Sequence, residues 1–144
     1  MLKKVMKRLK KEEKGFTLIE LLAVIVILAV IAVIAVPLIG KIIDNTKKDS
    51  DVATARQVYD AARLYVTGEN NGSFGTNGIT VTFAQLVSKG YIAGDTVLPS
   101  TKDDIDQDAA KSFVTFDKDG KLTAIELNDK SITVAEVQDG KAAR

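Results

Sequence analysis

A single carboxylate, that of Glu20, lies at the start of a long apolar stretch, five residues after Gly15. No charged or polar side chain occurs from Leu21 to Ile39. A carboxylate at the centre of a bilayer costs about 2.5–3.5 kcal/mol on insertion scales, and less near the interface, so a retained acid indicates a partner. The chemistry that Glu20 offers is therefore ion pairing with a cation from outside this stretch.

Catalytic residue types are scarce in the rest of the chain, which contains neither His nor Cys. Their absence removes the commonest general base, the thiol nucleophile and the usual zinc ligands. Catalysis would have to rest on carboxylates or on Ser and Lys pairs, and no such constellation stands out. We therefore expect a protein that is not an enzyme and that needs no cofactor.

The one pattern typical of a metal loop is D-x-D-x-D, formed by Asp104, Asp106 and Asp108. An EF-hand loop would also require Gly at position 109 and Glu at position 115, where Ala109 and Thr115 stand. These three acids are thus weak candidates for calcium, and a solvated acidic loop is favoured.

The element that must position Glu20 is a membrane helix. Leu21 to Ile39 matches the roughly 20 residues that cross about 30 Å of hydrocarbon. Residues 1–15 contain seven Lys or Arg and two Glu, whereas residues 16–144 contain 13 basic and 17 acidic residues. Basic flanks stay cytoplasmic, so we expect a single-pass protein with its N-terminus inside and its C-terminal part outside.

An amphipathic helix continues over residues 41–67. Its apolar side chains recur at steps of three and four residues, while polar ones, including Asp49 and Asp51, form a predicted solvated face. The apolar positions are Val52, Ala55, Val58, Tyr59, Ala62, Tyr65 and Val66. The sequence predicts one helix over residues 16–67, with a weak or locally melted point near Pro37 to Gly40.

Residues 68–144 read as a small separate unit. Residues 68–78 have the Gly and Asn content of a loop. Thr82 and Gln85 form a capping-box pattern, which predicts a short helix over FAQLVSK that Gly90 closes.

The last third of the chain predicts strands. SFVTF (112–116), KLTAIEL (121–127) and SITVAEV (131–137) alternate and are β-branched, with tight turns at 117–120 and 128–130. A three-stranded antiparallel meander follows from this pattern, and its apolar face needs the amphipathic helix as a partner. The predicted fold class is α+β, a long N-terminal helix packed on a small antiparallel sheet.

The string KGFTLIELLAVIVILAVIAVIAVP (14–37) resembles the N-terminal segment of type IV prepilins and of type II secretion pseudopilins, the class III signal peptide. In that resemblance Gly15 precedes the scissile bond and Phe16 becomes the new N-terminus. Glu20 is then the fifth mature residue, and Pro37 occupies the helix-kink position. Residues 1–15 would be a leader that is removed, and 16–40 the apolar half of a pilin helix.

The resemblance implies a pathway with defined partners. A membrane prepilin peptidase cuts after Gly15 and methylates the amino group of Phe16. An assembly platform and its ATPase then stack the subunits into a helical homopolymer on the cell surface, with minor pilins as further partners and DNA left open. The new α-amino group is ordinarily protonated at neutral pH, so it can pair with Glu20 of a neighbouring subunit. Glu20 would thereby set the register of assembly.

Several alternatives stay open at this point. The apolar stretch is also compatible with an ordinary signal anchor that tolerates Glu20, or with a secretory signal peptide cut after Ala35. In the first case the protein would be a single-pass, membrane-anchored extracellular binding domain. Within the resemblance, a major subunit of a pilus-like filament is favoured, but a secretion or competence pseudopilin has the same N-terminus.

Overall fold

The computed structural model describes the backbone of residues 2–144 and the side chains of residues 17–144. Three helices and six strands follow one another in this part of the chain, and the α+β class is as predicted. The elements are α1 (Leu2–Glu69), β1 (Ile79–Thr82), α2 (Phe83–Ser88), β2 (Val97–Leu98), β3 (Asp103–Asp104), β4 (Phe113–Phe116), β5 (Leu122–Leu127), β6 (Lys130–Ile132) and α3 (Val134–Asp139). Two compact units result, one up to Ile42 and the other over Ile43–Arg144.

Helix α1 is longer than the predicted 16–67, because it begins at Leu2 and ends at Glu69. It is helical throughout Pro37 and Gly40, so the expected locally melted point was wrong. A Pro inside a helix removes one backbone hydrogen bond and costs about 3 kcal/mol or more. The helical hydrogen bonds of the turns on either side remain, and these hold the helix through the defect.

The main sheet has four antiparallel strands in the order β1-β4-β5-β6. The meander of β4, β5 and β6 is as predicted, whereas β1 is an additional strand that makes the predicted count of three wrong. Strand β1 pairs along its whole length with β4, from Ile79 opposite Phe116 to Thr82 opposite Phe113. Four residues are too short to signal a strand by themselves, and the long-range pairing stabilises this one.

The predicted strand over 131–137 was wrong in its second half. Strand β6 ends at Ile132, and Thr133 is the N-cap of α3. The Thr133 hydroxyl accepts a hydrogen bond from the Glu136 N–H, and the Glu136 carboxylate accepts one from the Thr133 N–H. This reciprocal pair is a capping box, and it starts a helix where the alternation of residues favoured a strand.

The predicted short helix is confirmed as α2, with the capping box between Thr82 and Gln85. Gly90 follows the C-cap residue Lys89 with φ of 77°, a left-handed conformation that Gly adopts without strain. A second sheet of two short strands, β2 and β3, was not predicted. It pairs Val97 with Asp104 and Leu98 with Asp103.

The core lies between the C-terminal half of α1 and the main sheet. The predicted apolar stripe of α1 is confirmed, since its aliphatic members from Val52 to Val66 are buried and its two Tyr are half-buried against the core. The sheet and α2 contribute buried side chains that include Val81, Phe83, Leu86, Val114, Phe116, Ile125 and Leu127. One face of the sheet is therefore covered by the amphipathic helix, as its alternating pattern requires.

Candidate functional site

The candidate site is the apolar part of α1, whose side chains are uncovered. Between Leu18 and Ile42 the large apolar residues are 50% to 77% exposed. This helix is long and apolar enough to cross a membrane. Apolar surface of this extent is stable in contact with lipid or with other helices, because exposing it to water is unfavourable.

Glu20 is exposed on the same helix. Helix geometry places Val24 and Ile27 on the face that carries Glu20, since residues three, four and seven positions apart share a face. Both of these side chains are at least half exposed. A second helix that packed on this apolar face would therefore bury the carboxylate, and an ion pair would be needed to compensate for its lost hydration.

The proposed processing site, between Gly15 and Phe16, lies outside the residues whose side chains are described. Cleavage there and methylation of Phe16 stay predictions. Pro37 lies in the interior of α1 and is exposed, and its role in assembly likewise stays a prediction.

The three weak metal candidates do not converge on one point. Asp104 belongs to β3, where it pairs with Val97. The Asp106 carboxylate accepts hydrogen bonds from the Asp108 N–H and from the Lys111 ammonium, each 3.0 Å long. These two donors hold the pKa of Asp106 below its usual value, the backbone N–H contributing more than Lys111. No group of three His, Cys, Asp or Glu suited to a metal ion occurs among the described residues.

Two acids on α1 have partners that sequence reasoning missed. Asp51 is only 1% exposed, so its assignment to a solvated face was wrong. The signal was present, because helix periodicity puts position 51 in line with the buried Ala55 and Val58. Asp49 contacts residues near the end of the chain, including the backbone N–H of Ala142. The groups that bind Asp49 and Asp51 lie far away from them in sequence, so no local pattern encodes these contacts.

Comparison with known proteins gives one informative match. The prokaryotic N-terminal methylation motif matches residues 10–36. No curated protein and no solved structure matches the chain. The matched segment contains Gly15, Phe16 and Glu20 and extends into the exposed apolar part of α1. It is the class III signal motif of type IV pilins, and together with the apolar helix it supports a pilin-like or pseudopilin protein.

Proposed function

We propose that this chain is a structural subunit of a type IV pilus-like filament that polymerises through α1. The observation that carries the proposal is the methylation motif at residues 10–36 on a helix whose large apolar side chains are exposed. A plain membrane anchor needs neither the motif nor an acid at position 20. A filament subunit uses both.

Before assembly the subunit is a single-pass membrane protein. The basic leader stays in the cytoplasm, since Lys and Arg flanks are retained on that side. The unit over Ile43–Arg144 then lies outside. Lipid surrounds the apolar part of α1 at this stage, and helices of other subunits replace the lipid during assembly. That exchange brings together surfaces of similar polarity, so it is feasible for an ATP-driven machine.

Processing creates a cation that can pair with Glu20. Cleavage between Gly15 and Phe16 exposes an α-amino group, and N-methylation of Phe16 preserves its positive charge. At about 4 Å, in an effective dielectric near 20, such a pair attracts by roughly 4 kcal/mol before the cost of desolvation. The apolar face of α1 packs in many alignments, whereas this ion pair favours those that bring the two charges together.

The proposal implies a set of partners. They are further copies of this chain, a prepilin peptidase that also methylates, an assembly platform with its ATPase, and minor pilins. A filament of this kind on the cell surface would act as a pilus, in secretion or in DNA uptake.

Intact-mass spectrometry of the protein from cells tests the proposal. We expect a mature form that begins at methylated Phe16. A protein that retains Met1, or that begins at Val36 after signal-peptide cleavage, would contradict it.

Two Gly variants provide a matched control. Gly15→Val is expected to keep the leader, because the substitution adds bulk at the scissile bond. Gly40→Val lies outside the matched motif, and a Cβ at position 40 meets no atom within 4 Å, so this variant is expected to be processed normally.

A further inference from the structure

The carboxylate of Asp51 joins α1 to two distant segments. One of its oxygens accepts a hydrogen bond of 2.9 Å from the Ser100 N–H. The other contacts the ammonium of Lys130, at the start of β6. Asp51 is 1% exposed, whereas the side chain of Lys130 is 44% exposed, so this ion pair lies at the boundary between the core and solvent.

The carboxylate of Asp49 holds the segment after α3. It accepts hydrogen bonds from the Ala142 N–H at 3.0 Å and from the Arg144 guanidinium at 3.3 Å. Glu136, on α3, accepts a further hydrogen bond from the Ala143 N–H at 2.8 Å. The segment over 141–144 is therefore fixed to both α1 and α3.

These contacts have a particular place along α1. Asp51 directly precedes Val52, the first buried residue of the apolar stripe that ends at Val66, and Asp49 lies two positions before Asp51. The side chains of the two acids therefore leave the helix in different directions and reach different elements. We call Asp49, Asp51 and their partners Ser100, Lys130, Ala142 and Arg144 the polar latch.

We infer that the polar latch keeps α1 from peeling off the sheet when force pulls on the N-terminal side of the helix. The inference rests on the proposed function, because a filament subunit carries tension through its helix. A force applied at one end of a packed helix acts first on the nearest contacts, and here those contacts are the latch.

The chemistry of the latch suits this role. Hydrogen bonds to ionised groups are about twice as strong as neutral ones. Moving Asp51 away from Lys130 also leaves a desolvated charge without its partner, which is strongly unfavourable. The apolar contacts that follow from Val52 onward are made by short side chains, mostly Val and Ala, and carry no charge-assisted hydrogen bond.

Single-molecule pulling on the full chain, reconstituted in a lipid nanodisc, tests the inference. The chain has no Cys, so pairs of introduced Cys attach the handles specifically. In the first geometry the handles are at exposed positions Lys47→Cys and Lys118→Cys, and the force reaches the latch first. In the second they are at Thr67→Cys and Lys118→Cys, and the force reaches the Val66 end of the stripe first.

Asp51→Ala is expected to accelerate unfolding at constant force by at least about tenfold in the first geometry, as the loss of charge-assisted hydrogen bonds requires. In the second geometry we expect about twofold or less, because the latch breaks after the barrier there. Val66→Ala is the matched control, since it truncates a fully buried residue at the other end of the stripe. Its effect should be larger in the second geometry.

Equal acceleration by Asp51→Ala in both geometries would overturn the inference, because it would mean a general loss of stability. Should Asp51→Ala fail to fold, Asp49→Ala decides in the same way, since Asp49 is more accessible and its loss is milder. The assay needs no filament. A negative result therefore leaves the proposed function untouched, and failed processing at Gly15 leaves the latch untouched.

Discussion

At the scale of single residues, the position that most needs a physical explanation is Glu20, a carboxylate at the start of an apolar helix. The described side chains from Leu21 to Ile39 are apolar, and the large ones are at least half exposed. Such a surface packs on a like surface without choosing an alignment. One carboxylate on that surface makes most alignments unfavourable, since each would bury an unpaired charge.

Glu20→Ala is accordingly expected to be cleaved and retained in the membrane but to assemble poorly. The variant removes the charge that selects the register and leaves the apolar surface unchanged. Filament yield per cell, compared with the amount of processed subunit, measures the effect. Glu20→Asp is the control and should retain part of the yield, because the charge is kept on a shorter side chain. Normal filament yield from Glu20→Ala would refute the role in register.

Gly78 must lack a side chain for two separate reasons. Its φ is 85°, and a Cβ there would lie 2.2 Å from the Phe116 carbonyl oxygen. Gly78→Ala should therefore lower the free energy of unfolding by about 3 kcal/mol or more, combining backbone strain with a clash. Urea unfolding of the full chain in detergent measures this loss.

Gly72→Ala provides the comparison for Gly78→Ala. Its φ is 76°, but a Cβ there meets no atom within 4 Å. It should cost only about 1–2 kcal/mol, from the backbone alone. Equal losses at the two positions would mean that the contact with Phe116 does not matter.

At the scale of elements, two helices begin with the same device. Thr82 with Gln85 starts α2, and Thr133 with Glu136 starts α3. The first box was recognised in the sequence and the second was not, because the β-branched alternation around Thr133 continues that of β5. The capping box overrides that alternation, since it satisfies backbone N–H groups that a helix start leaves unpaired.

The box of α3 predicts a dependence of stability on pH. Hydrogen bonds from the N–H groups of Ala143 and Thr133, in that order, hold the pKa of Glu136 below its ordinary value. A carboxyl whose pKa is depressed by folding stabilises the native state above its unfolded pKa and loses that contribution as pH falls through the folded one. Stability should therefore decrease on acidification below about pH 4.5.

Glu136→Gln should reduce this acid dependence, because the group no longer titrates. The free energy of unfolding between about pH 3 and pH 7 measures the change in slope. Thr82→Ala is the control, because its capping box with Gln85 contains no titrating group, and it should lower stability by about 1 kcal/mol at every pH. An unchanged slope in Glu136→Gln would assign the acid dependence to other carboxylates.

At the scale of the whole molecule, the two compact units need different surroundings. In the unit up to Ile42, the large apolar side chains from Leu18 to Ile42 are exposed. The unit over Ile43–Arg144 has its own buried core and pairs its strands internally. One chain thus combines a part whose apolar surface favours contact with lipid or other helices and a part that has a core of its own.

A protein consisting of residues 43–144 is therefore expected to fold alone. It should be monomeric in water, whereas the full chain should require detergent. Circular dichroism and sedimentation measure the two properties. Phe116 is 1% exposed, so Phe116→Ala should lower the free energy of unfolding by about 3–5 kcal/mol and unfold much of this fragment. That result would show that the fragment is stabilised by its core. An aggregated or unfolded 43–144 would show that the apolar helix contributes to folding.

Local patterns were enough to predict much of this protein. The apolar run after Glu20, the amphipathic stripe from Val52 to Val66, the start of α2 at Thr82 and the pairing of β4 with β5 all follow from the sequence. Each depends on residues close together in the chain, where helix or strand periodicity and turn chemistry act directly. The segment that carries the methylation motif is also contiguous, so it is readable without a fold.

The remaining features were decided only by the tertiary structure, because each depends on contacts with residues that are distant in sequence. Strand β1 is defined by β4, which is more than thirty positions away, and not by its own four residues. The burial of Asp51 depends on Ser100 and Lys130, both distant in sequence. From the sequence alone, a carboxylate on a helix is expected to be solvated. The amine and the backbone N–H that bind this one come from distant segments, and only folding brings these groups together.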